Sequence, residues 1–155
     1  MAFQISALDR AQFANLFELS DQELKARRAL RVVADKKPGF PCRISLADAE
    51  VGEELLLVHY EHLSAHTPYR ASHAVYVRPQ AAQAQPAINE IPEMLRTRIL
   101  SLRGFSEDGL LKEADLAEGA VLAPAIEKML ANPEIAFLHL HFAKAGCYAA
   151  RADRA

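Results

Sequence analysis

The sequence is poor in the residues that mark several large classes of protein. It has only two cysteines in 155 residues, which excludes a disulfide-rich secreted scaffold. Its longest strongly apolar run, residues 55–58, is far shorter than the roughly 20 residues that cross a bilayer, and its first residues lack the basic and apolar regions of a signal peptide. We therefore expect a cytoplasmic protein with no membrane partner, in which Cys42 and Cys147 are reduced. The spacing leaves a disulfide between them open, because only their distance decides it.

The sequence also lacks a large excess of charge of one sign, and it lacks the common catalytic motifs. The chain has 18 Lys and Arg against 20 Asp and Glu, a formal net charge of −2, which gives no electrostatic basis for a nucleic-acid partner. It contains no glycine-rich phosphate loop, no dinucleotide-binding glycine motif and no G-x-S-x-G nucleophile elbow. The sequence identifies no cofactor, and any function has to be argued from less familiar groupings of residues.

Short apolar segments separated by turn residues predict a single α+β domain over residues 1–155. We expect one mixed or antiparallel sheet of about six to eight short strands, with about two to four helices and a C-terminal β-hairpin. Asp9 is expected to cap a first helix and Ser20 a second one, and the apolar face of residues 119–131 predicts the best helix. The predicted strands cover residues 3–7, 29–34, 43–46, 55–61, 72–78, 97–105 and the two segments of the hairpin.

The C-terminal hairpin is the most informative part of the sequence. Its first segment, residues 137–142, reads FLHLHF and places two histidines two positions apart. A three-residue loop at residues 144–146, with Gly146 in the left-handed conformation, predicts that Ala143 pairs with Cys147. The loop length matters because it decides which side chains of the two strands share a face.

In this register four chemically useful side chains share one face of the hairpin. Because side chains alternate along a strand, His139, His141, Cys147 and Arg151 project to the same side. A two-residue loop would instead move Cys147 to the leucine face. The opposite face is expected to carry Leu138, Leu140, Phe142 and Tyr148.

One interpretation of the histidine face is a Cys–His enzyme. A histidine beside a cysteine favours the thiolate or acts as a general base, and an arginine holds an anionic group of the substrate. Cys147 or Cys42 is then the nucleophile, His139 or His141 the base, and Arg151 the anion-binding group. The structural interpretation is that the histidines form hydrogen bonds on a half-buried face while Cys147 packs as a small apolar residue, which is the commoner role of a free cysteine.

A second group of histidines, at positions 59, 62, 66 and 73, suggests a metal site, because neutral imidazole is the commonest protein ligand. The spacing is not diagnostic, since His62 and His66 lack the glutamate of the zinc-protease motif and His59 and His62 fall on opposite faces of a continued strand. A metal site has to combine this group with the C-terminal pair, so the sequence assigns no metal ligand. The ligands of this alternative come from His59, His66, His73, His139 or His141.

Arginines on or beside the predicted strands support a third hypothesis, the binding of a carboxylate or phosphate. It describes a non-catalytic domain, monomeric or homodimeric, whose pocket for a small anionic ligand is lined by Arg43, His73, Arg103 and Arg151. The alternative is that these arginines, with Arg78 and Arg98, are ordinary solvated residues at strand edges. We favour anion binding over the enzyme and the metalloprotein, because it demands the least precision from a sequence without a familiar catalytic spacing.

Four separated segments of the sequence occur in an order that resembles a known family. They are Pro41-Cys-Arg43; Gly52-Glu-Glu-Leu-Leu-Leu leading into Tyr60-Glu-His62; Pro68-Tyr-Arg-Ala-Ser-His73 leading into Val77-Arg78; and His139-x-His141 with Gly146-Cys147. In this order they resemble the bacterial family catalogued as domain of unknown function 1203. The resemblance runs along essentially the whole chain and implies a complete single-domain protein. One position departs, because Phe142 stands where the family is expected to have Asn. The family brings no established activity, so the resemblance leaves the function open.

Overall fold

Ten strands and three α-helices follow one another along residues 1–155 of the computed structural model. The strands are β1 (Phe3–Ser6), β2 (Ala29–Val33), β3 (Pro41–Cys42), β4 (Ala47–Asp48), β5 (Glu54–Leu63), β6 (Ala71–Val77), β7 (Ile99–Phe105), β8 (Leu111–Glu118), β9 (Phe137–Phe142) and β10 (Tyr148–Arg154). The helices are α1 (Asp21–Ala26), α2 (Glu93–Arg96) and α3 (Leu122–Leu130). The predicted α+β class and the C-terminal hairpin are confirmed, although ten strands exceed the expectation of about six to eight. No helix is both long enough and apolar enough to span a membrane.

The strands form two five-stranded sheets instead of the single one expected. The first, which we call sheet 1, has the order β1-β10-β9-β7-β8 and is antiparallel throughout. The second, sheet 2, has the order β2-β5-β6-β3-β4, and only its β3–β6 pair is parallel. Strand β9 lies inside sheet 1, and all six of its residues are buried. Both of its faces are therefore covered by other parts of the protein.

One face of sheet 1 packs against the helices. Leu102 of β7 and Leu140 of β9 belong to the largest apolar core, together with Ile126 and Met129 of α3. The apolar face predicted for residues 119–131 is confirmed, although a 3₁₀ turn precedes α3 over the first three residues. This leucine face leaves the alternate residues of β9, including its two histidines, on the side that meets sheet 2.

The N-terminal segment covers part of sheet 2. Leu24 of α1 packs with Val58 and Val75 of this sheet, and the predicted capping box at Ser20 is present. The helix expected after Asp9 is wrong, because only one 3₁₀ turn, Arg10–Gln12, forms there. Successive i→i+3 hydrogen bonds through residues 10–19 bring every third residue to the core side, so apolar side chains are buried without a continuous helix.

The hairpin of β9 and β10 differs from the predicted register. The Gly146 N–H donates to the Phe142 carbonyl oxygen at 2.7 Å, and the Phe142 N–H donates to the Cys147 carbonyl oxygen at 3.0 Å. The loop therefore has four residues, 143–146, instead of three. His141 pairs with Tyr148, and the register then shifts between Tyr148 and Ala150. This bulge inserts one extra residue into β10.

The prediction that Cys147 shares the histidine face is therefore wrong. Cys147 is opposite Phe142 and packs against the leucine-rich core, while Tyr148 takes the place beside the histidines. Arg151 still pairs with His139 as predicted. The longer loop shifts the pairing of β10 by one residue, and the extra residue of the bulge shifts it back. Both cysteines are free thiols, so the disulfide that the spacing left open does not form.

Gly119 lies where the chain between β8 and α3 passes against the end of α2. A Cβ atom there would lie 2.0 Å from the carbonyl oxygen of Leu95 and 2.5 Å from the carbonyl carbon of Arg96. Since these are backbone atoms, we predict that Gly119→Ala lowers the free energy of unfolding in urea by about 2–3 kcal/mol. Gly39→Ala is the matched control, because its Cβ would meet only the side chain of Lys36, which is exposed and free to move aside. A loss in Gly119→Ala no greater than in Gly39→Ala would contradict this explanation.

Candidate functional site

Four histidines converge where the two sheets meet. His62 and His73 come from β5 and β6 of sheet 2, and His139 and His141 come from β9 of sheet 1. The ring centroid of His62 lies 4.8 Å from that of His73, 5.2 Å from that of His139 and 4.9 Å from that of His141. We call these four residues the histidine cluster. The two histidine groups that are separate in the sequence thus meet in space.

Strand alternation explains why the cluster forms at this place. On β5, Val58 and Tyr60 are two residues apart and so lie on one face, and the register of β5 with β6 places His73 opposite Tyr60. His62 lies at a register shift between Glu61 and Leu63, and its ring stacks on that of His73. The apolar members of this face, which include Val75, form part of the core. The histidines are thus the continuation of a core face beyond its apolar residues.

Tyr148 completes the cluster from β10. Its ring stacks on that of His62, with centroids 5.3 Å apart and planes inclined by 11°, and its edge contacts involve His139 and His141. The side chain is 4% exposed, and burial raises the pKa of its phenol. Tyr148 is not among the predicted site residues, because the expected three-residue loop places it on the leucine face.

Burial keeps the imidazoles of the cluster uncharged. Removal from water lowers the pKa of His62 to about 4 and the pKa of both His139 and His141 to about 3. It also lowers the pKa of His73. The positive charge of Arg103 acts in the same direction on all four rings. At neutral pH each ring therefore keeps one nitrogen lone pair that can bind a cation or accept a hydrogen bond.

Hydrogen bonds determine which ring nitrogens are available. Nδ1 of His141 lies 2.9 Å from the carbonyl oxygen of Gly146, and because a carbonyl only accepts, this nitrogen carries the hydrogen and Nε2 keeps the lone pair. Nδ1 of His62 lies 3.2 Å from Nδ1 of His139, so one of these two donates to the other. Three other buried nitrogens have no hydrogen-bond partner: Nε2 of His62, Nδ1 of His73 and Nε2 of His141. Buried polar atoms normally have partners, so three unpaired nitrogens in one place are unusual.

The same three histidines are close enough to share one ion. One ligand atom from each of His62, His73 and His141 lies within 4.8 Å of the other two. Zinc–nitrogen bonds of about 2.1 Å in a tetrahedral site separate the ligand atoms by about 3.4 Å, so the three rings would have to move closer to bind one ion. His62 is not among the predicted metal ligands. Two of the predicted ligands, His59 and His66, are exposed and lie outside the cluster.

Arg103 supplies an unpaired positive charge beside the cluster. It lies on β7 opposite His139, and although burial lowers its pKa, a guanidinium stays charged at neutral pH. No carboxylate pairs with it, and its single hydrogen bond is a long one of 3.4 Å to Ser101 Oγ. The carboxylate that raises the pKa of His62, Glu61, is bound by Arg70. Arg103 therefore places an uncompensated positive charge beside the neutral histidine cluster.

The other arginines predicted to bind an anion have different partners. Arg151 lies on the histidine face, but it forms a bidentate pair with Asp153 at 2.7–3.1 Å and covers the ring of Phe137 with its guanidinium 4.1 Å from the centroid. Arg43 follows β3 and lines a separate cavity. Of the predicted set, His73 therefore belongs to the histidine cluster and Arg103 lies beside it, while Arg43 and Arg151 have other partners.

Neither cysteine forms the predicted pair with a histidine. Cys42 is fully buried, and its sulfur accepts a hydrogen bond from the backbone N–H of Arg78 at 3.3 Å. The sulfur of Cys147 accepts a hydrogen bond from Nη2 of Arg43 at 3.1 Å. Since no hydrogen bond joins either sulfur to an imidazole, the geometry supplies no histidine base for a thiol nucleophile.

Arg43 connects the two sheets through a guanidinium that is 1% exposed. Besides its bond to sulfur, Nε donates to the Tyr148 carbonyl oxygen at 2.8 Å and Nη1 to the Pro41 carbonyl oxygen at 2.6 Å. We predict that Arg43→Met lowers the free energy of unfolding by about 2 kcal/mol or more, because buried carbonyls lose their donors. Arg43→Lys should restore less than half of this loss, since an ammonium cannot reproduce the fork.

The control for this prediction is Arg10→Met. Arg10 also donates twice to a backbone carbonyl, that of Pro79, at 3.0 and 2.6 Å, but at an exposed position. Its loss is expected to cost less than about 1 kcal/mol, because water replaces the donor. Urea denaturation of the three variants measures the difference, and an equal cost for Arg43→Met and Arg10→Met would contradict the assigned role.

Comparison with known proteins gives one match. No curated protein and no solved structure matches the chain. The profile of the family described as "Protein of unknown function (DUF1203)" matches residues 39–154, a range that contains the histidine cluster, Arg43 and Tyr148. Residues 1–38 lie outside the match, which is therefore shorter than the resemblance over essentially the whole chain that the sequence suggested. On this evidence, the chain belongs to the DUF1203 family of proteins of unknown function.

Proposed function

We propose that this protein binds one divalent first-row metal ion through His62, His73 and His141. The observation that carries the proposal is the convergence of three neutral imidazoles, that of His141 buried and those of His62 and His73 half-buried, whose ligand atoms lie within 4.8 Å of one another. Each ring has one buried nitrogen without a hydrogen-bond partner. Imidazole ligands suit zinc, copper, iron and nickel. A bound cation would provide a partner for the lone pairs of all three nitrogens, which are otherwise buried without one.

The surroundings of the three histidines resemble the supporting groups of metal sites. A ligating histidine usually donates its other ring N–H to an acceptor, which fixes the tautomer and the ring orientation. His141 donates in this way to the Gly146 carbonyl oxygen, and His62 can donate to Nδ1 of His139. His139 is therefore proposed as a positioning residue and not as a ligand.

The charge of the site favours a small anion as a further ligand. Three neutral imidazoles leave the charge of a divalent ion uncompensated, and Arg103 adds another positive charge without a carboxylate partner. Three-histidine sites in zinc enzymes keep a further position for water or substrate. We infer that an anion takes this position with Arg103 as its second partner, which unites the metal and anion hypotheses at one site.

Elemental analysis tests the metal site. Protein purified without a histidine tag, stripped by a chelator and incubated with zinc is expected to retain one equivalent after gel filtration. His141→Asn or His62→Asn removes a ligand and should lower the affinity by more than about 100-fold, while His139→Asn removes a positioning partner and should lower it by about 10–100-fold.

Exposed histidines provide the control for zinc binding. His59→Asn and His66→Asn change residues of the same type outside the cluster and are expected to retain one equivalent. Circular dichroism and urea denaturation verify that each variant is folded. Retention well below one equivalent by the unmutated protein, or an equal loss of zinc in His59→Asn, would overturn the metal proposal.

The anion part of the proposal has its own test. Cobalt(II)-loaded protein titrated with azide should show saturable changes in its visible absorption. Arg103→Met is expected to weaken azide binding by about 10–100-fold, because it removes a charge-assisted hydrogen bond, while cobalt stoichiometry is kept. Arg27→Met, at an exposed position away from the cluster, is the control. Unchanged azide affinity in Arg103→Met would show that Arg103 does not contact the anion.

A further inference from the structure

A separate cavity lies between the β9–β10 loop and the part of sheet 2 around β3. Its volume of about 670 Å³ is within the range of roughly 300–1,000 Å³ that is typical of small-molecule sites. None of the four clustered histidines lines it, and Arg103 does not line it either. It is therefore distinct from the site of the proposed metal.

The charged residues that line this cavity are all basic. They are Lys36, Arg43, Arg98 and Lys144, and no acidic residue is among the lining side chains. Arg98 is neutralised by a bidentate pair with Asp48 at 2.6 and 2.9 Å. Lys36 and Lys144 have no carboxylate partner, and the hydrogen bonds of Arg43 all go to uncharged acceptors. Three positive charges therefore remain uncompensated around the cavity.

The rest of the lining is apolar, with two aromatic rings. Phe142 lies under two guanidinium groups, with the central carbons of Arg43 and Arg98 4.9 and 5.0 Å from its ring centroid. Tyr76 and prolines 38 and 41 also contribute to the wall. A basic cavity with aromatic and aliphatic walls matches a ligand that has an anionic group and an apolar body.

Cys147 provides a chemical probe inside this cavity. Its half-buried sulfur lines the wall and accepts the hydrogen bond from Arg43, whereas Cys42 is fully buried. Alkylation by a small neutral reagent should therefore report on Cys147 alone.

We propose that this cavity binds a small organic anion whose charged group pairs with Lys36 and Lys144 and whose apolar part contacts the apolar residues of the wall. The charged group is a carboxylate, sulfonate or phosphate. The buried charge of Arg43 attracts the anion from within the wall, and Cys147 lines the same cavity. This site does not depend on the metal at the histidine cluster.

Protection of Cys147 from alkylation tests the proposal on metal-free protein. Iodoacetamide alkylates the sulfur with loss of iodide and of the thiol proton, and the product is counted by mass spectrometry. 1-Naphthalenesulfonate should slow this reaction saturably by at least about fivefold, because it carries both an anionic group and an apolar ring system. The neutral 1-naphthalenesulfonamide, which has nearly the same shape, should protect much less. Equilibrium dialysis of the two compounds measures binding directly, whatever the rate of alkylation.

Variants of the two exposed lysines show whether the positive charge of the cavity is responsible for binding the sulfonate. Lys36→Gln combined with Lys144→Gln should raise the half-saturating concentration of the sulfonate by about tenfold, since two uncompensated charges are removed. Lys25→Gln combined with Lys128→Gln removes the same charge from exposed positions outside the cavity and should leave it unchanged. Absence of sulfonate binding, equal binding of the sulfonamide, or equal weakening in the two double variants would each overturn the proposal.

Discussion

The two-residue alternation of β9, a strand buried on both faces, is the constraint on which both sites depend. A strand inside a sheet must satisfy two environments with alternate residues. Leu138 and Leu140 meet the helices, so His139 and His141 are forced into the junction with sheet 2. Imidazoles removed from water in this way are neutral and need partners. The same packing that builds the core therefore creates a concentrated set of nitrogen ligands.

The four-residue loop and the bulge in β10 determine which side chains of the hairpin face the histidines and which lie on the leucine face. With the loop, Tyr148 turns toward the histidines and Cys147 toward the leucine face, and the bulge then returns Arg151 to the histidine side. Tyr148 consequently contacts both the histidine cluster and Arg43. Its ring stacks on that of His62, and its carbonyl oxygen accepts a hydrogen bond from Arg43. A change in loop length would shift the parity of β10 and disturb both sites together.

Local patterns predicted seven of the ten strands and the capping box at Ser20, because alternation and capping depend on neighbouring residues. The strand expected at residues 43–46 is wrong, because these residues form the turn between β3 and β4. His62 was missed because the predicted strand ended at residue 61, whereas β5 runs through Leu63 with a register shift at His62. The loop length, the bulge and the division into two sheets depend on pairing between distant segments, which one sequence does not display. For that reason the predicted grouping of Cys147 with His141 was wrong.

Phe142 is one of the groups that stabilise the buried guanidinium of Arg43. The face of its ring carries partial negative charge and attracts guanidinium groups, and both Arg43 and Arg98 lie over it. The partners of Arg43 are thus two carbonyl oxygens, a sulfur and an aromatic face, and none of them carries a formal charge. They satisfy its hydrogen bonds and replace part of its hydration without neutralising it. At the proposed anion site, its positive charge therefore remains uncompensated within the protein, whereas a carboxylate partner would have neutralised it.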